Sequence, residues 1–205
     1  MDYNLKTAEG KTMKELECME ILEQVAKRKL NVLMVFSEIS DIFNLLNLRG
    51  YKRKYEYKKL KEEKEYLHIK KWVIEKYGAI PNVSFQIKKE INPFKVATVG
   101  RRDKILKETK QKIIAEIFKE LVSFLEETLK LYEEAFSALS EKGCISDSIT
   151  IGKFIKKIED HIKKTKREIV KLNDVDYSLE FIYEFQKSMH DRYKDKMREI
   201  DMCTD

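Results

Sequence analysis

Apolar side chains recur at spacings of three and four residues along most of the chain, the period of amphipathic helices that share a core. Thr12 and Glu15 form a capping-box pattern at the start of the first periodic segment, and Gly78 with Pro81 ends the second. This pattern predicts five helices, over about residues 12–47, 50–77, 102–141, 150–172 and 175–199.

The connections between the predicted helices indicate how they are arranged. Short connections join antiparallel neighbours, whereas a long one carries the chain along a bundle. The long connection covers residues 82–100, where the alternating run from Val83 to Ile87 favours an extended conformation. Gly50 is predicted to break the chain between the first two helices, and residues 146–150 are predicted to form a loop.

The predicted fold is therefore all-α. It is an antiparallel four-helix bundle with a long crossover between its second and third helices, plus a fifth C-terminal helix. We expect a single domain over residues 1–205, with frayed ends at 1–11 and 201–205. In the third helix the predicted core stripe comprises Ile114, Ile117, Phe118, Leu121, Leu125, Tyr132, Phe136 and Leu139.

The second predicted helix places two acidic residues within its apolar stripe. At 100° per residue, Glu62 and Glu65 fall in the same sector as Ile69. A buried carboxylate without a partner is costly, so each needs a neutralising cation. The sequence leaves three alternatives: an ion pair with Lys29 or Lys58, a carboxylate metal site, or exposure of both groups if this helix is peripheral.

Charge and composition narrow the function classes only slightly. Forty-two Lys and Arg against thirty-six Asp and Glu give a net charge of +6, which permits nucleic-acid binding without favouring it over a solvated surface of ion pairs. The tyrosines and lysines interleaved over residues 51–76 are interpreted in the same way. The abundance of Lys, Glu and Ile is typical of thermophile proteins. Six Gly and two Pro are too few for a turn-rich β protein.

The cysteines and the N-terminal residues bear on the compartment. Cys18, Cys144 and Cys203 are far apart and contain no Cys-x-x-Cys pair, so neither a zinc site nor a disulfide framework is predicted. The polar N-terminus resembles no signal peptide, and the apolar run from Leu30 to Leu48 is too polar for a membrane span. We expect a soluble cytoplasmic protein with no membrane partner.

Residues 48–81 resemble the second helix of the ferritin-like superfamily. Leu48-Arg49-Gly50-Tyr51 is similar to the Leu-Lys-Gly-Phe pattern that opens that helix. Glu62 follows fourteen residues after Leu48, at the position of the family's metal-bridging Glu, and Glu65 lies where the family places the His of its Glu-x-x-His motif. The ending Gly78-Ala79-Ile80-Pro81 also resembles the Gly-rich end of this helix.

This resemblance implies iron or another divalent metal at Glu62 and Glu65, with His161 as a third ligand, and oxidation of ferrous iron as the reaction. It also implies a homo-oligomer. The chain departs from the family where the first helix should supply a Glu, since the matching residue is Lys27 or Lys29. These departures imply a degenerate site.

The other helices depart from the family as well. The third helix presents Thr128 and Tyr132 at its stripe centre, while Glu126, Glu127, Glu133 and Glu134 point away from the core. The fourth helix offers only His161 and Glu168 near its stripe.

Two further hypotheses remain open at this stage. Glu65 and His68 form a literal Glu-x-x-His pair, a second possible metal register, although His68 falls at the edge of the buried sector. His190 is predicted at the surface. The alternative function is a metal-free helical scaffold that binds a protein or nucleic-acid partner. No nucleotide-binding or serine-hydrolase motif occurs, and the sequence does not decide whether the chain is an enzyme.

Overall fold

The computed structural model describes residues 12–78, 80–81 and 106–202. The predicted five-helix, all-α architecture is confirmed. The helices are α1 (Met13–Leu45), α2 (Arg49–Tyr77), α3 (Lys107–Glu141), α4 (Ile145–Asn173) and α5 (Leu179–Met202). The predicted extended run from Val83 to Ile87 lies outside the described residues.

The predicted capping signals are confirmed. The backbone N–H of Glu15 donates to Thr12 Oγ1 at 3.2 Å, and the backbone N–H of Thr12 donates to Glu15 Oε2 at 2.8 Å, which completes a capping box. At the predicted end of the second helix, Gly78 adopts a left-handed φ of 60° and terminates α2.

The predicted break at Gly50 is wrong. Gly50 lies inside α2, and the chain turns three residues earlier, at Asn47, whose φ is 59°. Gly50 serves a close helix contact instead: a Cβ at this position would lie 2.1 Å from the backbone oxygen of Gln186 in α5. Its N–H donates to Gln186 Oε1 at 3.0 Å. Only a residue without a side chain permits this approach.

Two other local predictions also need correction. Residues 146–150, predicted as a loop, form the first turns of α4. Phe136, predicted in the core stripe of α3, is 38% exposed. In both cases the sequence pattern identified the helix correctly. It misplaced the start of α4 and the direction in which Phe136 points.

Contacts along α1 show the directions of its neighbours. Near its C-terminal end, Phe43 packs against Tyr51 at the start of α2 and against Phe118 in the first half of α3. Near its N-terminal end, Glu17 forms an ion pair with Lys142, just beyond α3. Both α2 and α3 therefore run antiparallel to α1 and parallel to each other. Two parallel neighbours require a connection that crosses the length of the bundle, which confirms the predicted crossover.

The fifth helix lies along one side of the bundle. Gln186 of α5 contacts Gly50 of α2, and Tyr193 packs against Tyr57 seven residues further along both helices. From the other side, Lys171 of α4 places its ammonium 5.9 Å from the ring centroid of Phe185. Helix α5 thus covers the N-terminal half of α2 and closes a groove between α2 and α4.

The sequence indicated no disulfide framework, but two of the cysteines are joined. Cys18 of α1 and Cys144, the residue before α4, form a disulfide. They are separated by 126 residues in sequence. Their encounter follows from the antiparallel packing of the helices, which no spacing rule for cysteines detects. Among the described residues, every helix lacks the uninterrupted apolar length that a membrane span needs.

Candidate functional site

The two carboxylates of α2 point into the bundle as predicted. Glu62 is 3% exposed, and the side chain of Glu65 is 16% exposed. Between them lies the ammonium group of Lys29 from α1, which is completely buried. Lys29 Nζ donates to Glu62 Oε2 at 2.8 Å and to Glu65 Oε2 at 2.5 Å. Of the two lysines that sequence counting proposed, Lys29 is the one that faces the carboxylates.

Helices α3 and α4 complete the walls around this ion pair. Lys29 Nζ lies 4.3 Å from the ring centroid of Phe154 on α4 and 5.6 Å from that of Tyr132 on α3. Both rings present a negative face that stabilises a nearby cation. At the outer edge, Lys157 of α4 donates to Glu65 Oε1. Two ammonium groups therefore balance two carboxylates. We call Lys29, Glu62, Glu65 and Lys157 the central cluster.

The pKa shifts in the central cluster agree with a charged lysine at its centre. Burial lowers the pKa of Lys29, but Tyr132 and the two carboxylates outweigh burial, so the pKa is raised overall. Burial raises the pKa of Glu62 despite the opposing effect of Lys29. Burial also acts to raise the pKa of Glu65, but Lys29 and Lys157 together hold it below its ordinary value. Lys29 therefore remains an ammonium throughout the physiological pH range.

Helix α3 contributes no carboxylate to this centre. Thr128 is buried at the predicted stripe centre, but its hydroxyl oxygen accepts a hydrogen bond of 2.7 Å from Arg28 Nε. The hydroxyl of Tyr132 is buried and has no hydrogen-bond partner among the described residues. Glu126 and Glu127 are exposed, as predicted.

The third predicted ligand, His161, lies on α4 beside Phe36 of α1. His161 packs edge-on against Phe36, with ring centroids 6.0 Å apart, and its Nδ1 has no hydrogen-bond partner among the described residues. Burial lowers its pKa, and the nearby Lys58 and Lys29 lower it further, so the imidazole is neutral at pH 7.

The residues present do not fit a ferritin-type metal centre. Such a centre takes carboxylates from four helices together with two His. Here α1 supplies a cation and α2 supplies both carboxylates. Across residues 12–78 and 106–202, no group of three or more His, Cys, Asp or Glu side chains is arranged to hold a metal ion. His68 of the alternative register is exposed.

Two further buried acids were not predicted as buried ion pairs. Glu168 of α4, predicted only at the margin of the stripe, is 8% exposed and pairs with Lys54 of α2. Asp147, within the predicted loop, is completely buried. Its carboxylate accepts hydrogen bonds from three groups at the end of α2, namely Trp72 Nε1 at 2.8 Å, Tyr77 Oη at 2.6 Å and Lys76 Nζ at 2.7 Å. In each pair an acidic residue meets a basic residue of a facing helix. The sequence does not reveal such a pair until the packing of the two helices is known.

Comparison with known proteins finds similarity in the fold but not in the sequence. No protein-family model and no curated protein matches the sequence. Two crystal structures of an open pore ferritin from the hyperthermophilic archaeon Archaeoglobus fulgidus align with TM-scores of 0.68 and 0.69 at 9% identity. They cover 85% and 87% of this chain and 96% and 98% of theirs. An iron-soaked variant of PmFTN aligns with a TM-score of 0.65 at 9% identity, over 83% of this chain and 98% of that one. The resemblance seen in the sequence is therefore confirmed as a fold, and helices α1 to α4 form a ferritin-like four-helix bundle.

Proposed function

We propose that this protein is a ferritin-like binding scaffold in which the ammonium group of Lys29 occupies the place of a metal ion between the bundle carboxylates. One observation carries the proposal: Lys29 Nζ lies 2.8 Å from Glu62 and 2.5 Å from Glu65. A divalent cation at the same carboxylates would have to displace a completely buried ammonium whose pKa is raised.

The walls of the central cluster support the same proposal. Where a metal centre needs oxygen or nitrogen ligands, α4 presents the ring of Phe154 and α3 presents Tyr132, both close to Lys29. Rings stabilise an ammonium through their negative faces but do not ligate iron or another hard divalent cation. The surroundings of the two carboxylates therefore suit an organic cation.

The competing candidate is binding of iron or another divalent metal at Glu62 and Glu65, with His161 as third ligand. Two observations favour it. The carboxylates point inward in a fold shared with a protein that was soaked in iron. His161 is kept neutral, with its Nδ1 unpaired among the described residues, the state that a metal requires of imidazole. Oxidation of ferrous iron would belong to this candidate alone.

Metal analysis distinguishes the two candidates. The purified chain is analysed by elemental analysis and titrated with Mn²⁺, with Zn²⁺ and, without oxygen, with ferrous iron. In a separate measurement oxygen is admitted as the oxidant, and the rate of ferrous-iron oxidation is compared with that in buffer alone. We expect no stoichiometric metal and no oxidation of ferrous iron beyond the buffer rate. A stoichiometric metal that is lost in Glu62→Gln but kept in Glu63→Gln would overturn the proposal. Glu63 is the matched control because it is adjacent on α2 and exposed.

The homo-oligomer implied by the resemblance also belongs to this proposal. A scaffold that assembles from copies of the chain would present several identical binding surfaces. Light scattering coupled to size-exclusion chromatography measures the mass directly, and a mass of 24.5 kDa would identify a monomer.

A further inference from the structure

A strongly basic pocket lies where α5 closes the groove between α2 and α4. It has a volume of about 410 Å³, within the range of roughly 300–1,000 Å³ typical of small-molecule sites. Cationic side chains from all three helices line it. The principal ones are Lys54, Lys58, Lys164, Arg167, Arg192 and Lys196. We call this the basic pocket.

Most of the positive charge in the basic pocket is not neutralised by the protein. Glu168 is the only acidic residue of the lining, and it already forms an ion pair with Lys54. Lys58, Lys164, Arg167 and Arg192 form no ion pair with any acidic residue in the described part of the chain. Cations held together from three helices repel one another, so an anionic ligand would lower the energy of the folded state.

Lys58 shows this repulsion most clearly. Its ammonium lies over apolar surface, 5.3 Å from the ring centroid of Phe36 and 5.1 Å from that of Tyr55. Burial lowers its pKa to about 7, and the neighbouring Lys54 and Lys164 add to the effect. Glu168 and Glu62 oppose this shift without outweighing it, so the described carboxylates do not fully compensate the charge of Lys58.

We infer that the basic pocket binds a small molecule that carries a chain of phosphate groups. Arg167 from α4 and Arg192 from α5 can each present a planar pair of N–H donors, the geometry that matches phosphate oxygens. The lysines of the lining add point charges. This inference deepens the binding role proposed above by naming the ligand class, and its site is separate from the central cluster.

The distribution of charge favours a small ligand over a long nucleic acid. The lining has six more basic than acidic residues, and this excess equals the formal net charge of +6 for the whole chain. The excess is thus concentrated in one pocket, whereas a long strand follows an extended basic groove. Phe185 and Met189 add apolar wall to the same pocket, which suits a ligand with a compact organic part.

Calorimetric titration tests this inference with inorganic tripolyphosphate, ATP and a 20-nucleotide single strand as separate probes at low salt and without divalent ions. The test variant is Arg167→Gln with Arg192→Gln, and the matched control is Lys163→Gln with Lys194→Gln. All four residues are exposed, each pair takes one residue from α4 and one from α5, and the control pair lies outside the pocket lining.

We expect saturable binding of tripolyphosphate or ATP with a stoichiometry near one. The test variant should weaken it about tenfold or more, as expected when charge-assisted hydrogen bonds are lost, and the control should change it less than about threefold. Tighter binding of ATP than of tripolyphosphate would identify a nucleotide ligand, and the reverse would identify the phosphate chain alone.

No binding of either probe, or equal weakening in both variants, would overturn the inference, and so would a preference for the oligonucleotide. Metal content is measured independently, so a failure here leaves the proposal for Lys29 unaffected, and the reverse also holds.

Discussion

Replacing Lys29 by methionine should destabilise the protein severely. The substitution keeps a long unbranched side chain but removes the ammonium that is completely buried between Glu62 and Glu65. Glu62, whose side chain is 4% exposed, then keeps a buried negative charge without its ion-pair partner. Removing one partner of a buried ion pair costs about 3–5 kcal/mol. In a chain of this size that loss corresponds to a fall in Tm of roughly 6–20 °C.

Urea unfolding followed by circular dichroism at 222 nm measures this loss, and a second substitution tests its cause. Lys29→Met combined with Glu62→Leu should recover most of the stability, because a buried ion pair exchanged for apolar side chains is often neutral. Glu65 then keeps its ion pair with Lys157. Lys27→Met is the matched control: this half-buried lysine is on the same helix but outside the central cluster, and we expect a change within about 0.5 kcal/mol.

Two results would refute the reasoning. The first is a Lys29→Met variant as stable as the parent protein in metal-free buffer. The second is a double variant whose loss of stability equals the sum of the two single losses, since additivity means that the two side chains do not interact. A further expected outcome is that Mn²⁺ or Zn²⁺ restores stability to Lys29→Met but adds none to the parent, because only the variant leaves carboxylates in need of a cation.

Three other predictions test the fold and the basic pocket. Reduction of the disulfide between Cys18 and Cys144 should lower the free energy of unfolding by about 2–4 kcal/mol, measured by urea unfolding with thiol titration to prove reduction. Gly50→Ala should cost about 1–3 kcal/mol because its Cβ would strike the backbone of α5, whereas Gly152→Ala, with its nearest neighbour 3.5 Å away, should be tolerated; equal effects would contradict the close contact. Lys58→Met should stabilise the protein most at and below pH 7 and progressively less towards pH 10. The reason is that the pKa of Lys58 is about 7 in the folded protein and higher in the unfolded chain, so folding disfavours the protonated lysine. A gain in stability that does not depend on pH would contradict this.

The fold was predictable because local signals and global packing agree. Each helix signal depends only on residues that are close in sequence. Examples are the capping box at Thr12, the glycine that ends α2 at Gly78 and the helical period of the apolar residues. The crossover followed from one long connection among short ones. The position of Gly50 was not predictable, because its function depends on Gln186, 136 residues away in sequence.

The central cluster was predictable only in part. The angles along α2 correctly turned Glu62 and Glu65 inward, and Lys29 was one of the two lysines proposed as a partner. The choice between Lys29 and Lys58 depends on how α1 is rotated against α2, which periodicity fixes only to within a residue or two. Lys58 instead lines the basic pocket, whose walls come from three helices and therefore have no signature within any one of them.

The central cluster and the basic pocket follow from one principle of charge balance. Each buried carboxylate described in this bundle meets a lysine from another helix; the pairs are Glu62 with Lys29, Glu168 with Lys54 and Asp147 with Lys76. An interior that neutralises its carboxylates with its own ammonium groups has no electrostatic need for a metal ion. In the basic pocket the balance is reversed, since cations outnumber the single acid of its lining and Lys58 already loses its proton near pH 7. The basic pocket therefore gathers positive charge that the nearby described acids do not balance, and an anionic ligand can supply the missing negative charge.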